Sequence, residues 1–124
     1  MRFMMIVKTA ENSGRPPKEL LEAISKLSGE AVKAGTMIGS GGLGPTAMGA
    51  RIQLSGGKIT VIDGPLTEAK AIVGGYAQFE LKSKEEAVEG ALRFMELHKK
   101  HWPGWEGETE IRQMVGPEEF GPHA

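Results

Sequence analysis

The pattern of apolar and polar positions predicts a short strand followed by an amphipathic helix at the start of the chain. Residues 3 to 9 form a short apolar run, which is typical of a buried strand. After Pro16-Pro17, apolar residues recur every three or four positions, at Leu20, Ile24, Leu27 and Ala31. Because proline is tolerated in the first turn of a helix and Gly35 is a natural stop, we predict a helix over residues 17 to 34.

Two segments in the middle of the chain alternate in polarity, residues 50 to 55 and residues 58 to 63. Each places its apolar side chains on one face: Ile52, Leu54, Ile59 and Val61. Gly56-Gly57 lies between the two segments and can supply the positive φ angles of a two-residue primed turn. The pattern therefore predicts a β-hairpin.

The last part of the chain repeats the strand–helix–strand pattern. Residues 76 to 82 alternate as a strand, and Ser83 and Glu86 have the spacing of a capping box that begins a second helix. Pro103 ends this helix, because it disfavours the helical conformation of the residue before it. A last strand is predicted at residues 110 to 115. The expected core face of the second helix consists of Val88, Ala91, Leu92 and Met95.

This order predicts an α+β fold, a ferredoxin-like sandwich with an inserted β-hairpin. Both helices are expected on one face of the sheet, so nothing in the chain is left to cover the other face, which carries Met4, Ile6, Ile62 and Tyr76. We therefore expect a second copy of the chain to cover it in a homodimer. We expect one domain over residues 1 to 115 and a loosely ordered tail at 116 to 124.

Composition and charge narrow the classes of function. The chain has 124 residues, a formal net charge of -1 and no cysteine, which excludes disulfides, thiolate catalysis and cysteine zinc sites. No basic run favours nucleic acid as a partner. No apolar run approaches the roughly 20 residues that span a bilayer, and residues 1 to 7 are too short for a secretory signal. We expect a soluble cytoplasmic protein with no membrane partner.

A glycine-rich stretch contains a match to the dinucleotide motif G-x-G-x-x-G at Gly39 to Gly44. That motif must open a helix, because the pyrophosphate binds at the helix N-terminus, whereas Pro45-Thr46 and a hairpin strand follow it here. We interpret the stretch as a short strand at residues 36 to 38 followed by a flexible loop, and we predict no cofactor.

His98 and His101 are the candidate metal ligands, since their spacing at the end of the second helix lets both reach one ion. A third ligand would have to come from Glu106 or Glu108. The simpler interpretation is that basic residues interact favourably with a helix C-terminus. We adopt this interpretation and predict no metal site. The neighbouring tryptophans are typical of packing or of a dimer contact.

An Asp-Gly-Pro sequence follows the second hairpin strand and admits two interpretations. Asp before Gly is a common turn former. However, Asp63, Glu68 and Lys70 lie close together in the sequence where a strand leaves the sheet. An acid–base pair there can move a proton on a small molecule if burial raises the pKa of the acid. Arg51 and Arg112, on strands, are further candidates for holding a substrate anion.

Residues 63 to 76, DGPLTEAK…GGY, resemble the signature D-G-P-F-x-E-x-K-E…G-G-[YF] of the YCII-related proteins, in the branch often called the DGPF domain. The blocks MRFMMIV, SGGKITV and GWEGETEIRQM are also similar to that family, so the resemblance spans residues 1 to 115. Leu66 stands where the family usually has Phe, and Ala71 stands where Glu usually follows the lysine. The histidine–aspartate pair of the YCII branch has no match, because the first helix contains no histidine.

The resemblance implies a ferredoxin-like protomer that pairs through its sheets into a dimeric α+β barrel. It also implies a superfamily of isomerases and small monooxygenases that hold small cyclic substrates between sheet and helices. We therefore expect a homodimer with a small-molecule pocket, acting as a cofactor-independent lyase or isomerase. In it Asp63 would be the acid/base, Lys70 would hold a substrate anion and Glu68 would orient Lys70.

Two alternatives stay open at this point. The first is a non-catalytic ligand-sensing or regulatory partner-binding dimer, since some members of the DGPF branch are encoded beside extracytoplasmic-function sigma factors. The second is a structural dimer that has no site.

Overall fold

The structure of the protein is a computed structural model that describes residues 1 to 65 and 71 to 116. Helices and strands follow one another in the predicted order. The elements are β1 (Arg2–Thr9), α1 (Lys18–Lys33), β2 (Met37–Gly42), a 3-10 turn (Thr46–Met48), β3 (Ala50–Ser55), β4 (Lys58–Asp63), β5 (Ile72–Glu80), α2 (Lys84–His101) and β6 (Gly107–Met114). The tail expected from residue 116 onwards lies outside the described residues except for Gly116.

Four strands form an antiparallel sheet in the order β2-β5-β1-β6. This order, with one helix between β1 and β2 and another between β5 and β6, is compatible with a ferredoxin-like α+β fold. The side chains of Phe3, Met5 and Ala77 point to the same face and are buried. The core therefore lies on this face, between the sheet and the helices.

Helix α1 follows its predicted limits closely. Leu20 is fully buried, and the helix ends in a Schellman motif at Gly35, whose φ is +78°. The backbone N–H of Gly35 donates to the carbonyl of Val32 at 3.0 Å, and that of Thr36 donates to the carbonyl of Ala31 at 2.9 Å. Glycine adopts this φ without steric cost, which is why the sequence signal for the helix end was reliable.

Helix α2 buries only part of the predicted stripe. Val88 and Leu92 are 40% and 58% exposed. Ala91 is buried as predicted, and the other residues that face the sheet are Ala87, Phe94 and His98. Small alanines let the helix approach the sheet closely, and the aromatic contacts of His98 fix its rotation. Two neighbouring apolar stripes run along this helix and share Ala91, and periodicity alone does not show which of their other members is buried.

The start of α2 departs from a complete capping box. The hydroxyl of Ser83 accepts from the backbone N–H of Glu86 at 3.2 Å, as predicted. The carboxylate of Glu86, however, accepts from the backbone N–H of Lys82 at 2.9 Å, one residue before the cap. Both bonds still satisfy donors at the helix entry.

Strand β2 continues to Gly42, into the segment that we predicted to be a flexible loop. A Cβ atom on Gly41 would lie 3.1 Å from the Tyr76 ring, and one on Gly75 would lie 3.2 Å from the carbonyl oxygen of Gly41. Glycine at these positions therefore lets β2 and β5 approach each other beneath the Tyr76 ring. Gly41 and Gly75 therefore serve close strand packing here rather than a flexible loop.

Strands β3 and β4 pair in the predicted register and form a two-stranded sheet of their own. Gly56 and Gly57 both have positive φ, as the primed turn requires. Ile62 therefore belongs to the hairpin. The prediction that it lies on the open face of the four-stranded sheet is wrong. Four apolar side chains share one hairpin face and are each about two-thirds exposed: Ile52 67%, Leu54 72%, Ile59 68% and Val61 66%.

The base of the hairpin is held by a close backbone approach at Gly64. Its N–H donates to the carbonyl of Gly49 at 2.9 Å, and a Cβ atom on Gly64 would lie 1.7 Å from the carbonyl oxygen of Thr46. The Gly64–Pro65 peptide bond is cis. The Asp-Gly-Pro sequence thus builds the exit from the hairpin, and glycine is required there for space.

The sheet face away from the helices carries both apolar and charged side chains. Met4, Ile6 and Tyr76 lie on this face and are partly exposed. Within residues 1 to 65 and 71 to 116, neither helix is long and apolar enough to span a membrane.

Candidate ligand-binding cavity

A cavity of about 620 Å³ lies between the sheet and the two helices. Helix α1 rests against α2 and β2, so it leaves space above the central strand β1. The walls are mostly apolar: Phe3, Met5, Ile24, Leu27, Ala77 and Ile111. Its volume falls in the range of about 300–1,000 Å³ that is usual for small-molecule sites.

Aromatic rings line one end of this cavity. The His98 ring lies 4.6 Å from the Phe94 ring and 4.4 Å from the Trp105 ring, centroid to centroid. Trp102 stacks on Trp105 at 6.0 Å with an interplanar angle of 28°. The Trp105 ring lies so close over Gly107 that a Cβ atom there would be 2.3 Å from its Cη2 atom. These contacts hold the aromatic end in one arrangement.

His98 is the buried polar side chain of the described residues, with 6% of its surface exposed. Its Nδ1 atom lies 3.0 Å from the carbonyl oxygen of Phe94. Because a carbonyl oxygen can only accept, we assign the ring hydrogen to Nδ1, which leaves the lone pair of Nε2 as an acceptor. Across residues 1 to 65 and 71 to 116, no group bonds Nε2.

The segment between β1 and α1 also lines the cavity, and the polar side chains that it contributes, those of Thr9, Glu11 and Ser13, are already bonded. The hydroxyl of Thr9 lies 2.9 Å from that of Ser13 and donates to the carbonyl of Glu106 at 3.0 Å. The Glu11 carboxylate accepts from the hydroxyl of Thr46 at 2.7 Å and from its backbone N–H. These hydrogen bonds lower the pKa of Glu11 and tie its loop to the 3-10 turn.

The predicted acid/base residue lies elsewhere. Asp63 is exposed at the end of β4, opposite Ala50, and is not among the residues that line the cavity. Arg51 is also exposed, on the neighbouring strand β3. Glu68 and Lys70 lie outside the described residues.

Arg112 belongs to an ion-pair network on the sheet face away from the helices. Its Nη1 atom lies 3.1 Å from a carboxylate oxygen of Glu110, whose other oxygen lies 2.5 Å from Nζ of Lys8. The hydrogen bond between Lys8 and Glu110 raises the pKa of Lys8 and, with that of Arg112, lowers the pKa of Glu110. Arg112 is thus engaged by a carboxylate and does not line the cavity.

A metal centre does not form among the described residues. No three His, Asp or Glu side chains of residues 1 to 65 and 71 to 116 lie close enough together to hold an ion. His98 faces aromatic rings, and the suggested third ligands Glu106 and Glu108 are exposed.

Sequence reasoning named His98 and the two tryptophans but missed Phe94 and missed that all four side chains line a cavity. A usable signal was the spacing of Phe94 and His98, four residues apart and therefore on one face of α2. The two tryptophans follow directly after that helix, around Pro103. The pattern indicated packing, and it could not show that α1 leaves space beside the rings.

Comparison with known proteins identifies one family. A family model described as the YCII-related domain matches residues 1 to 94. No curated protein matches the chain. The matched region includes β1 to β5 and α2 as far as Phe94, whereas His98 and Trp105 lie beyond it. The narrower assignment to the DGPF branch stays a prediction.

Proposed function

The chain belongs to the YCII-related domain family, and on that premise we propose that it binds a small, mostly apolar molecule in the cavity between the sheet and the helices. The observation that carries the proposal is the cavity of about 620 Å³ with apolar walls. Atoms that line an unfilled space lose the dispersion contacts of a packed interior, so an apolar occupant is stabilised there.

Gly90 allows the proposal to be tested by blocking the cavity. It lies in α2, lines the cavity, and a Cβ atom on it would meet no heavy atom within 4 Å. Gly90→Leu should therefore fill space in the cavity without a clash. Gly29 lies in α1, does not line the cavity and also has open space around a Cβ atom, so Gly29→Leu is the matched control.

The experiment is thermal unfolding of the three proteins with a panel of small uncharged aromatic and alicyclic compounds. A ligand at 100 times its Kd stabilises a folded protein by about 2.7 kcal/mol. We expect at least one compound to raise the Tm of the wild type and of Gly29→Leu, and to leave the Tm of Gly90→Leu unchanged. A compound that stabilises all three proteins equally would place binding outside the cavity and contradict the proposal.

We also infer that the protein acts as a homodimer. The exposed apolar face of the hairpin supports this proposal. Four large apolar side chains on one face of a two-stranded sheet leave a contiguous apolar surface in water. Met4, Ile6 and Tyr76 add apolar area on the open face of the four-stranded sheet. A symmetric pairing of two chains would cover these surfaces and would fit a ligand-sensing or regulatory dimer.

Lyase or isomerase chemistry with Asp63 as the acid/base is a further form of the proposal. It requires that Asp63 contact the bound molecule, whereas the side chain is exposed at the end of β4. A partner chain could supply that contact in a dimer. Binding without catalysis does not need this step, and we therefore put binding first.

A further inference from the structure

The aromatic end of the cavity holds a hydrogen-bond acceptor that the fold does not use. His98 is 94% buried, as its 6% exposure shows, and its Nδ1–H group is fixed on the carbonyl oxygen of Phe94. The remaining ring nitrogen, Nε2, has no hydrogen-bond partner in the described parts of the chain. Because every buried side-chain nitrogen and oxygen in the described parts of the chain has a partner, Nε2 keeps contact with open space, where a donor group of a ligand can reach it.

The surroundings fix the orientation of this acceptor. The rings of Phe94 and Trp105 lie within 4.6 Å of the His98 ring, and the Nδ1 bond prevents the imidazole from turning over. At the same end of the cavity the hydroxyl of Thr9 lies 3.0 Å from the carbonyl oxygen of Glu106, that of Ser13 lies 2.7 Å from the carbonyl oxygen of Ala10, and the two hydroxyls lie 2.9 Å apart. Nε2 is therefore a preorganised polar contact beside flat apolar rings.

From this geometry we propose that His98 accepts a hydrogen bond through Nε2 from a hydroxyl or N–H group of a planar aromatic ligand. The inference rests on the proposed function, since it names the class of molecule that the cavity takes. The rings of Phe94, Trp102 and Trp105 supply faces and edges for aromatic contacts. The lone pair of Nε2 selects a donor group on the ligand over an ether or a carboxylate.

The test compares two probes with the same ring system: 2-naphthol, which has a hydroxyl donor, and 2-methoxynaphthalene, in which a methyl group replaces the hydroxyl hydrogen. The chain has two tryptophans, Trp102 and Trp105, and both line the cavity. Their two indole N–H signals in a ¹H–¹⁵N correlation spectrum therefore report directly on occupancy of the aromatic end. Each probe is titrated into the wild type and into His98→Phe, which keeps an aromatic ring and removes the acceptor.

We expect 2-naphthol to bind the wild type about threefold to tenfold more tightly than 2-methoxynaphthalene, the range given by one neutral hydrogen bond. The two probes should bind His98→Phe with equal affinity. Equal affinities for the wild type, or a preference that survives in His98→Phe, would overturn the inference and leave the proposed function standing. If neither probe shifts the indole signals, the inference fails, and the panel of compounds with Gly90→Leu decides the proposed function separately.

A measurement on the wild type keeps the test valid if His98→Phe does not fold. Long-range ¹H–¹⁵N spectra of the imidazole should show the hydrogen on Nδ1 and a bare Nε2. We expect the Nε2 signal to shift on adding 2-naphthol and to stay in place on adding 2-methoxynaphthalene. An Nε2 signal that does not respond to 2-naphthol while the indole signals do would overturn the inference.

Discussion

Trp105 lies directly over Gly107, and a Cβ atom on Gly107 would be 2.3 Å from the indole ring and 2.8 Å from the carbonyl oxygen of Lys8. The indole ring of Trp105 and the backbone carbonyl of Lys8 therefore leave no space for a side chain at position 107. The glycine therefore fixes how closely the aromatic end of the cavity can pack on the edge strand β6.

We expect Gly107→Ala to lower the free energy of unfolding by about 1–3 kcal/mol, the usual cost of overpacking. The substitution displaces the Trp105 ring, so the near-ultraviolet circular dichroism should change as well. Urea unfolding measures the effect. Gly29→Ala is the control, since it has open space within a helix and should raise stability by up to about 1 kcal/mol. Equal stabilities of the two variants would contradict this account.

The exposed hairpin face predicts a substitution that separates the dimer. Leu54 is 72% exposed and faces Ile59 across the hairpin. A buried glutamate at position 54 would have no partner in an apolar interface, so Leu54→Glu should be monomeric at micromolar concentration. Gln53→Glu adds the same charge on the opposite face and should remain dimeric. Light scattering distinguishes the two, and a monomeric wild type would disprove the dimer.

The ion pair between Lys8 and Glu110 predicts how stability depends on pH. Because the folded state lowers the pKa of Glu110, the unfolded state binds more protons between the two pKa values, and stability rises with pH there. The contribution is present above the ordinary Glu pKa of about 4.3 and is lost as the pH falls through the lower folded value. Because the folded state raises the pKa of Lys8, the contribution of this lysine to stability is present below its ordinary pKa and is lost only as the pH rises through the higher folded value.

Glu110→Gln should therefore be less stable than the wild type at pH 7, with a gap that closes in acid. Thermal unfolding at a series of pH values measures the gap. Glu89→Gln, at an exposed position of α2, is the matched control and should show a smaller effect at every pH. A gap for Glu110→Gln that stayed constant from neutral pH to strong acid would contradict the electrostatic explanation.

The position of Asp63 predicts that binding survives its substitution. Since this side chain is exposed and does not line the cavity, Asp63→Asn should retain the ligand-induced rise in Tm. Loss of that rise, in a variant that unfolds cooperatively at an unchanged temperature, would show that Asp63 contacts the ligand. That outcome would favour the catalytic form of the proposal.

The sequence predicted the elements whose signals are local. Two-residue alternation and Gly56-Gly57 define the hairpin, and helical spacing with Gly35 defines α1. Prediction from local patterns failed where one sequence pattern is compatible with two different structures. Gly41 of β2 resembles a loop residue until the Tyr76 ring is placed above it. On α2, the predicted Ala91 is buried together with Ala87 and His98, which the periodicity did not select.

The cavity could not be predicted from the sequence, because it depends on how helices rest on a sheet. The sequence shows that His98 is present, but it does not show that the side chain is buried beside the cavity. His98 appeared as one of several basic residues at a helix end, and its role follows only from its burial beside Phe94 and Trp105.

A crystal structure of the protein with saturating 2-naphthol tests the central claim most directly. We predict electron density for one naphthol between β1 and α1, with its hydroxyl oxygen within about 3 Å of Nε2 of His98. A cavity that stays free of the compound, or naphthol found only on the exposed hairpin face, would contradict the claim that this cavity is the binding site.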